Sequence, residues 1–211
     1  SGSEGGMIIT NNEDLAIKIR KFAGIGYKNL GAEQGRTNAS PDFQNPNYER
    51  HDTIGLNYRM NAITAAIGLG QLDRIHHLVE RRKCVGNMFL NSIQNCDWMI
   101  PQFKPDNCNH THYTFAVLYD GLEKKGISWK EFHNEFVKSG GDGFYAVWKN
   151  PYLEPALKGR KLGEVTCEEG LCPVAEELQQ KIMLFKTNYR DLSKARFNAD
   201  LLSSLIDKIG R

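Results

Sequence analysis

Apolar residues recur along this chain with two different periods, and the change between them divides the sequence. Residues 7–10 form a short, β-branched apolar run that predicts a buried strand. Directly after it, Leu15, Ile19 and Phe22 repeat at helical spacing. Asn11 or Asn12 serves as the cap of that helix, Glu13 and Asp14 suit its first turn, and Gly24 and Gly26 end it. Residues 27–50 show neither period and carry Gly31, Gly35, Pro41, Pro46 and many Asn, which predicts a long loop of the kind that is often functional. From Met60 the helical period returns. Ile63, Ala66, Ile67 and Gly70 share a face, and Ile75, Leu78, Phe89 and Ile93 carry the register to about Asn95 as one long helix or two in series. Small residues in its first turns (Ala62, Ala65, Ala66, Gly68, Gly70) allow another element to approach closely.

Beyond Pro101 and Pro105 the pattern becomes mixed α/β. Residues 113–119 predict a strand, and Ser128-Trp129-Lys130-Glu131 is a capping box with Ile127 and Phe132 at the staple positions. Gly140-Gly141-Asp142-Gly143 turns into a short aromatic strand at 144–148. A last helix after Ser193 places Phe197, Leu201, Leu205 and Ile209 on one face. The domain junction is expected between about residues 55 and 110, with the helical stretch as connector. No internal repeat is present.

With 211 residues, 40% of them hydrophobic and 25% charged, the chain is an ordinary globular protein of one or two domains. Lys and Arg number 27 against 25 Asp and Glu, and the net charge of +2 gives no field to attract a nucleic acid or an anionic membrane. No apolar run reaches the ~18–20 residues a spanning helix needs, and the start of the chain lacks a signal-peptide pattern, so a soluble cytoplasmic protein is expected. The five cysteines are an odd number at irregular spacings, which suits free thiols in a reducing compartment. Cys108, His110 and His112 alternate like metal ligands on an extended segment, but a structural zinc site wants a second ligand pair, for which only Cys167 and Cys172 are available. No metal site is expected. Asn38 and Asn109 head glycosylation tripeptides that have meaning only in a secreted chain.

Most motif searches fail, and the failures narrow the chemistry. Gly24-Ile25-Gly26 is followed by Gly31 and lacks the third glycine of a dinucleotide fingerprint. Gly121 and Gly126 have phosphate-loop spacing, but Ile127-Ser128 stands where Lys then Ser or Thr is required. There is no Gly-x-Ser-x-Gly elbow and no His-Glu-x-x-His helix, and adjacent His76 and His77 cannot present both rings to one metal.

A set of ordered segments is more telling: Ser3-Glu4-Gly5-Gly6-Met7-Ile8-Ile9-Thr10-Asn11, then His51-Asp52-Thr53-Ile54-Gly55-Leu56-Asn57-Tyr58-Arg59-Met60, then Ala65-Ala66-Ile67-Gly68-Leu69-Gly70-Gln71-Leu72. Together they resemble the DegT/DnrJ/EryC1/StrS family of pyridoxal-phosphate-dependent sugar aminotransferases. The later segments Gly140-Gly141-Asp142-Gly143-Phe144-Tyr145-Ala146-Val147-Trp148 and Cys172-Pro173-Val174-Ala175-Glu176-Glu177 look like the C-terminal domain of the same family. The resemblance implies an α/β, fold-type-I transferase: residues 1–59 as the terminal part of the large cofactor domain, 60–95 as a connecting helix and 96–211 as the small domain. It implies pyridoxal 5'-phosphate as cofactor, a homodimer with active sites at the subunit interface, and a nucleotide-linked keto sugar and glutamate as substrates. Asn57 would hydrogen-bond the neighbouring subunit's cofactor phosphate and Arg59 would add positive charge beside it; an amide and a guanidinium both suit phosphate oxygens. Read without the resemblance, Asn57 is a turn residue and Arg59 a surface charge. Tyr58, Tyr145 and Trp148 are candidate substrate contacts, with core packing as the alternative for the last two.

Transamination needs one amine that forms an imine with the cofactor, is displaced by the donor and then moves protons. In the family that lysine lies a few residues ahead of the Glu-Gly-Gly motif, which puts it upstream of Ser1. The chain alone is therefore expected to carry no catalytic residue and to be inactive. Lys18, Lys21 and Lys28 read as solvated surface charge. Many family members carry a histidine shortly after the aromatic strand, where this sequence has Trp148-Lys149-Asn150-Pro151-Tyr152, a departure that leaves the substrate unassigned. His51 beside Asp52 reads as a structural charged pair at the domain junction, with a role near the substrate as alternative. Two other functions stay open: a sugar dehydratase of the same family, in which another base replaces the lysine, and a non-catalytic interaction or dimerisation domain.

Overall fold

Asn12 starts helix α1 (Glu13–Ala23) by accepting the Leu15 amide on its side-chain oxygen at 2.9 Å. Acidic Glu13 and Asp14 at one end and basic Arg20 and Lys21 at the other complement the helix dipole, and Gly24 ends the helix as expected. The chain then turns at Gly26, whose φ of +78° lies in the left-handed region. A Cβ on Gly26 would stand 1.8 Å from the Thr53 carbonyl oxygen, and one on Gly55 would stand 2.6 Å from the Gly26 nitrogen. The two glycines therefore let residues 52–58 lie directly on the end of α1. The Leu56 amide donates to Phe22 O at 2.7 Å, the Tyr58 amide to Ala23 O at 2.9 Å and the Ile25 amide to Leu56 O at 3.0 Å. Helix α2 (Ala62–Leu72) follows, capped by Asn61, whose side chain accepts the Thr64 amide at 2.8 Å.

The computed structural model describes residues 4–28, 30–31 and 45–211, so most of the loop expected at 27–50 lies outside the described residues, as does Asn38. Ser1, ahead of which the imine-forming lysine is expected, also lies outside the described residues. The chain divides into two compact units, residues 1–75 and 76–211. The buried strand expected at 7–10 does not form: these residues are not in a ladder, and Met7 and Ile9 are 79% and 91% exposed. A strand needs a partner edge, and among the described residues of the first unit the only pairings are the isolated bridges Gly24 to Asn57 and Tyr27 to His51.

The helical stretch after Met60 resolves into two helices, since a turn at Asp73 and Arg74 separates α2 from α3 (Ile75–Ser92). In the second unit β1 (Met99–Pro101), β2 (Thr114–Tyr119), β6 (Ile182–Lys186) and β3 (Tyr145–Ala146) form an antiparallel sheet in that spatial order. The short hairpin β4 (Lys161–Leu162) and β5 (Val165–Thr166) stands apart from it. Alternation on β2 and β6 turns Phe115, Val117, Tyr119, Met183 and Phe185 inward. These join Val85, Phe89 and Ile93 of α3, Phe132 and Phe136 of α5 (Trp129–Lys138), and Ala199, Leu202 and Ile206 of α7 (Leu192–Ile209) in one aromatic-rich core. Small helix α4 (Gly121–Lys125) precedes α5, and α6 (Pro173–Lys181) contacts β2.

The Ser128 and Glu131 capping box forms at the start of α5 with both reciprocal bonds, and Phe132 is buried with Ile127 packed on the core. Two local expectations shift. On α7 the buried stripe is Ala195, Asn198, Ala199, Leu202, Leu205 and Ile206, while Phe197 is half-exposed. Asn198 tolerates burial because its side chain accepts the Asp142 amide at 2.8 Å and donates to Lys194 O at 2.8 Å. The strand at 144–148 shrinks to Tyr145 and Ala146, opposite Leu184 and Met183, leaving Trp148 fully in solvent.

Candidate active site

In the first unit the segment 57–59 is pinned by backbone and open by side chain. Asn57 bridges Gly24 through the main chain, and Arg59 Nε donates to Asn57 Oδ1 at 3.0 Å. That bond orients the Asn57 amide and leaves its NH2 and the outer guanidinium donors of Arg59 with no other hydrogen bond among the described residues. Both residues are exposed. Tyr58 lies between them with its ring 6.1 Å from that of Phe22 and its edge in solvent. The donor pair suits the doubly charged oxygens of a phosphate ester.

The nearby charges have partners of their own. Lys21 pairs with Asp52, and Lys28 sits 4.9 Å over the Tyr48 ring. The expected pairing of His51 with Asp52 is absent, because His51 Nδ1 contacts Ile25 O at 2.7 Å and its ring stacks on Tyr27 at 4.8 Å. Neighbouring side chains on an extended segment point to opposite sides, so adjacent residues find different partners. Lys18 is exposed on α1. None of these lysines stands in the desolvated setting that makes an amine a nucleophile.

In the second unit the end of the sheet near Thr114 and Lys186 opens into a cavity of about 670 Å³. Tyr145 lines it, together with Arg82, Tyr113, Lys186, Tyr189, Arg190 and Lys194, none of which stood out in the sequence. They come from α3, β3, β6, the residue just ahead of β2, the loop after β6 and the first turn of α7, so strand pairing brings them together. Arg82 is fixed by bonds from one Nη to Tyr113 O at 2.8 Å and Thr187 Oγ1 at 3.0 Å. Lys186 Nζ reaches Asp142 at 2.6 Å and lies 4.8 Å over the Tyr189 ring. The Lys186 ammonium, against some desolvation, and the Tyr189 hydroxyl hold the Asp142 carboxyl below the usual carboxylate range. Burial and the facing Asp142 push the Tyr189 phenol up, so it stays a hydrogen-bond donor.

A group whose native pKa is depressed stabilises the fold above its unfolded value and loses that contribution as pH falls through the native value. Asp142→Asn is therefore expected to be less stable at pH 7, by about 1 kcal/mol because the pair is partly exposed. The difference should shrink as pH drops below about 4. Urea unfolding of both proteins at pH 7 and near pH 3 checks this; an unchanged gap removes the Asp142 carboxylate from the account.

Trp148 is 92% exposed and lies outside the lining of that cavity. A little beyond it, Tyr152 donates to Glu176 at 2.6 Å, and Glu176 also accepts the amides of Gly170 and Cys172. The Tyr152 hydroxyl first, then these amides, lower the Glu176 carboxyl, so the Cys172 to Glu177 segment clamps the excursion 151–172 onto α6. Cys108 contacts Asn107, and the His110 and His112 rings lie tilted at 35° with centroids 4.2 Å apart, His110 Nε2 being 3.1 Å from Gln102 Oε1. Among the described residues no cluster of three or more His, Cys, Asp or Glu can hold a metal, and no helix is long and apolar enough to cross a membrane. All five cysteines are free thiols.

The sequence profile of the DegT/DnrJ/EryC1/StrS aminotransferase family matches residues 2–187. GDP-perosamine synthase of Caulobacter vibrioides is 42% identical over 84 residues, 39% of this chain and 18% of that protein. The UDP-4-amino-4,6-dideoxy-N-acetyl-beta-L-altrosamine transaminase of Campylobacter jejuni is 22% identical over 209 residues, 98% of this chain and 49% of that protein. Among solved structures, an aminotransferase from Psychrobacter cryohalolentis superposes with a TM-score of 0.72 at 18% identity, covering 95% of this chain and 51% of that one. The chain thus spans about half the length of the last two proteins.

Proposed function

The chain belongs to the DegT/DnrJ/EryC1/StrS aminotransferase family, and from that premise we propose that it is the C-terminal part of a fold-type-I enzyme that aminates nucleotide-linked keto sugars. The cofactor is pyridoxal 5'-phosphate, the amino donor glutamate and the product an amino sugar for cell-surface polysaccharide or related biosynthesis. On this reading residues 1–59 end the large cofactor domain, 60–95 connect, and 96–211 are the small domain. The synthase and transaminase named above support the reaction class.

The observation that carries the proposal is the Asn57 and Arg59 pair, held by the end of α1 and presenting its donors to solvent. In a homodimer these donors reach the neighbouring subunit's cofactor phosphate, which they neutralise and orient. The exposed apolar residues Ile63, Leu69 and Leu72 of α2 support burial of this unit against further polypeptide. When bound, the cofactor supplies an electron sink for the carbon that exchanges its amino group. Tyr58 in the first unit and, in the second, Tyr145 and Trp148 are each taken as candidate sugar-nucleotide contacts, through hydroxyl and ring. Free thiols throughout support a cytoplasmic enzyme.

On this reading the imine-forming lysine stands upstream of Ser1 and is none of those in this chain. Incubating the chain with pyridoxal phosphate, reducing with borohydride and measuring intact mass is expected to yield no stoichiometric adduct, whereas the longer protein labels at one lysine. A single-site adduct on this chain overturns the reading.

A further inference from the structure

The loop that leads into β2 holds two half-buried histidines in contact. The His112 amide donates to His110 Nδ1 at 2.9 Å. A backbone N–H can only donate, so Nδ1 of His110 is an acceptor and carries no proton. Its Nε2 lies 3.1 Å from Gln102 Oε1 and donates there, which holds His110 as the neutral, Nε2-protonated tautomer. His112 has a φ of +48°, in the left-handed region that a residue with a side chain seldom adopts, so this turn depends on the bonds around it. Its ring packs on α3 at Gly86, where an added Cβ would stand 2.5 Å from the imidazole. The His112 carbonyl accepts from the buried Thr187 hydroxyl at 2.5 Å, and the oxygen of that hydroxyl accepts from an Arg82 Nη at 3.0 Å. Consecutive hydrogen bonds thus join His110, through His112 and Thr187, to the anchor of Arg82.

We propose that His110 and His112 form an acid-sensitive latch: a proton taken up at His110 Nδ1 turns that acceptor into a donor facing the His112 amide, breaks their bond and frees residues 110–113 together with the anchor of Arg82. The surroundings give an imidazolium no partner. Lys83 of α3, Lys104 beyond β1 and Cys108 of the same loop line the space beside the rings with Phe115 of β2, and among the described residues of that lining there is no carboxylate. Glu80 lies outside the lining and pairs with Lys83 at 2.7 Å, and Arg82 adds a further positive charge across Thr187. Burial first, and His110 second, hold the His112 imidazole below the usual histidine value. A base whose native pKa is depressed binds fewer protons in the closed state than when released. The closed latch is therefore fully stable above about pH 6.5 and weakens as pH falls below it. These bonds lie within the second unit and act without cofactor or substrate.

Nitrogen-15 NMR of the 211-residue chain, with amide hydrogen exchange at about pH 7.5 and about pH 5, tests the latch. At the higher pH His110 should show the Nε2-protonated tautomer. Protection of the His112 amide, corrected for the intrinsic exchange rate, should fall by about 10-fold or more at the lower pH, while the amides of Phe185 and Leu202 in the core keep theirs. The Arg82 Nη signals, separate while Tyr113 O and Thr187 hold the guanidinium, should merge over the same pH range as it begins to rotate. His110→Asn offers an amide oxygen in place of Nδ1 and does not titrate, so it should keep the His112 protection at both pH values. The wild-type tautomer and titration are read without any variant, so the latch stays open to refutation if that substitution unfolds the chain. A proton on His110 Nδ1 at about pH 7.5, unchanged His112 protection at about pH 5, Arg82 signals that do not move, or an equal loss in a folded His110→Asn overturns the proposal.

Discussion

Phe185→Ala is expected to lower the unfolding free energy of this chain by about 3–5 kcal/mol. Phe185 is 1% exposed at the centre of the sheet, on the strand that pairs with both β2 and β3. Its ring centroid lies 4.8 Å from Phe144, just ahead of β3, 5.1 Å from Phe89 of α3 and 6.0 Å from Phe136 of α5, so truncation leaves a hole bordered by two helices and the approach to β3. Rings held on regular elements cannot collapse into that space without moving the elements. Phe103→Ala, at a site 82% exposed, is expected to change stability by less than about 0.5 kcal/mol. Denaturant unfolding of both variants, with the slope compared to confirm an unchanged transition, gives the two numbers. A loss below about 1 kcal/mol at Phe185 contradicts a core organised on that ring.

On the proposed reading, Asn57→Ala in a protein that carries this chain together with a complete cofactor domain is expected to weaken retention of pyridoxal phosphate by about 10- to 100-fold, the worth of a hydrogen bond to a charged group. The side chain is exposed and its loss removes only the bond from Arg59, so the fold should be unaffected. Gly55→Ala is expected to act in the same direction by another route. Its Cβ would meet Gly26 N, Lys21 O and Phe22 O at 2.6 to 2.8 Å, all backbone atoms, and the segment carrying Asn57 would lift from α1. Absorbance titration of the apoenzyme with the cofactor separates the outcomes. Wild-type affinity in Asn57→Ala removes this residue from the phosphate site; wild-type affinity in Gly55→Ala means that the 52–58 segment can shift without moving it.

Local chemistry was legible from the sequence wherever a residue's partner is close along the chain. Asn12 and Ser128 cap their helices, Gly24 stops α1, and β2 alternates as its residue types require, because these interactions span a few positions. The ordered segments around Asn57 likewise identified the family from sequence alone. What depends on distant partners was decided by tertiary structure. Residues 7–10 are apolar enough for a strand but have no edge to pair with among the described residues of their unit. Asp52 takes Lys21 in place of its neighbour His51, and the stripe on α7 turns away from Phe197 because Asn198 finds buried partners. The basic cavity is the extreme case: Arg82, Tyr145 and Lys194 become neighbours only when Thr114 pairs with Lys186 and Leu184 with Tyr145. Periodicity records which side of an element a residue occupies, whereas the residue it meets there depends on how the strands pair.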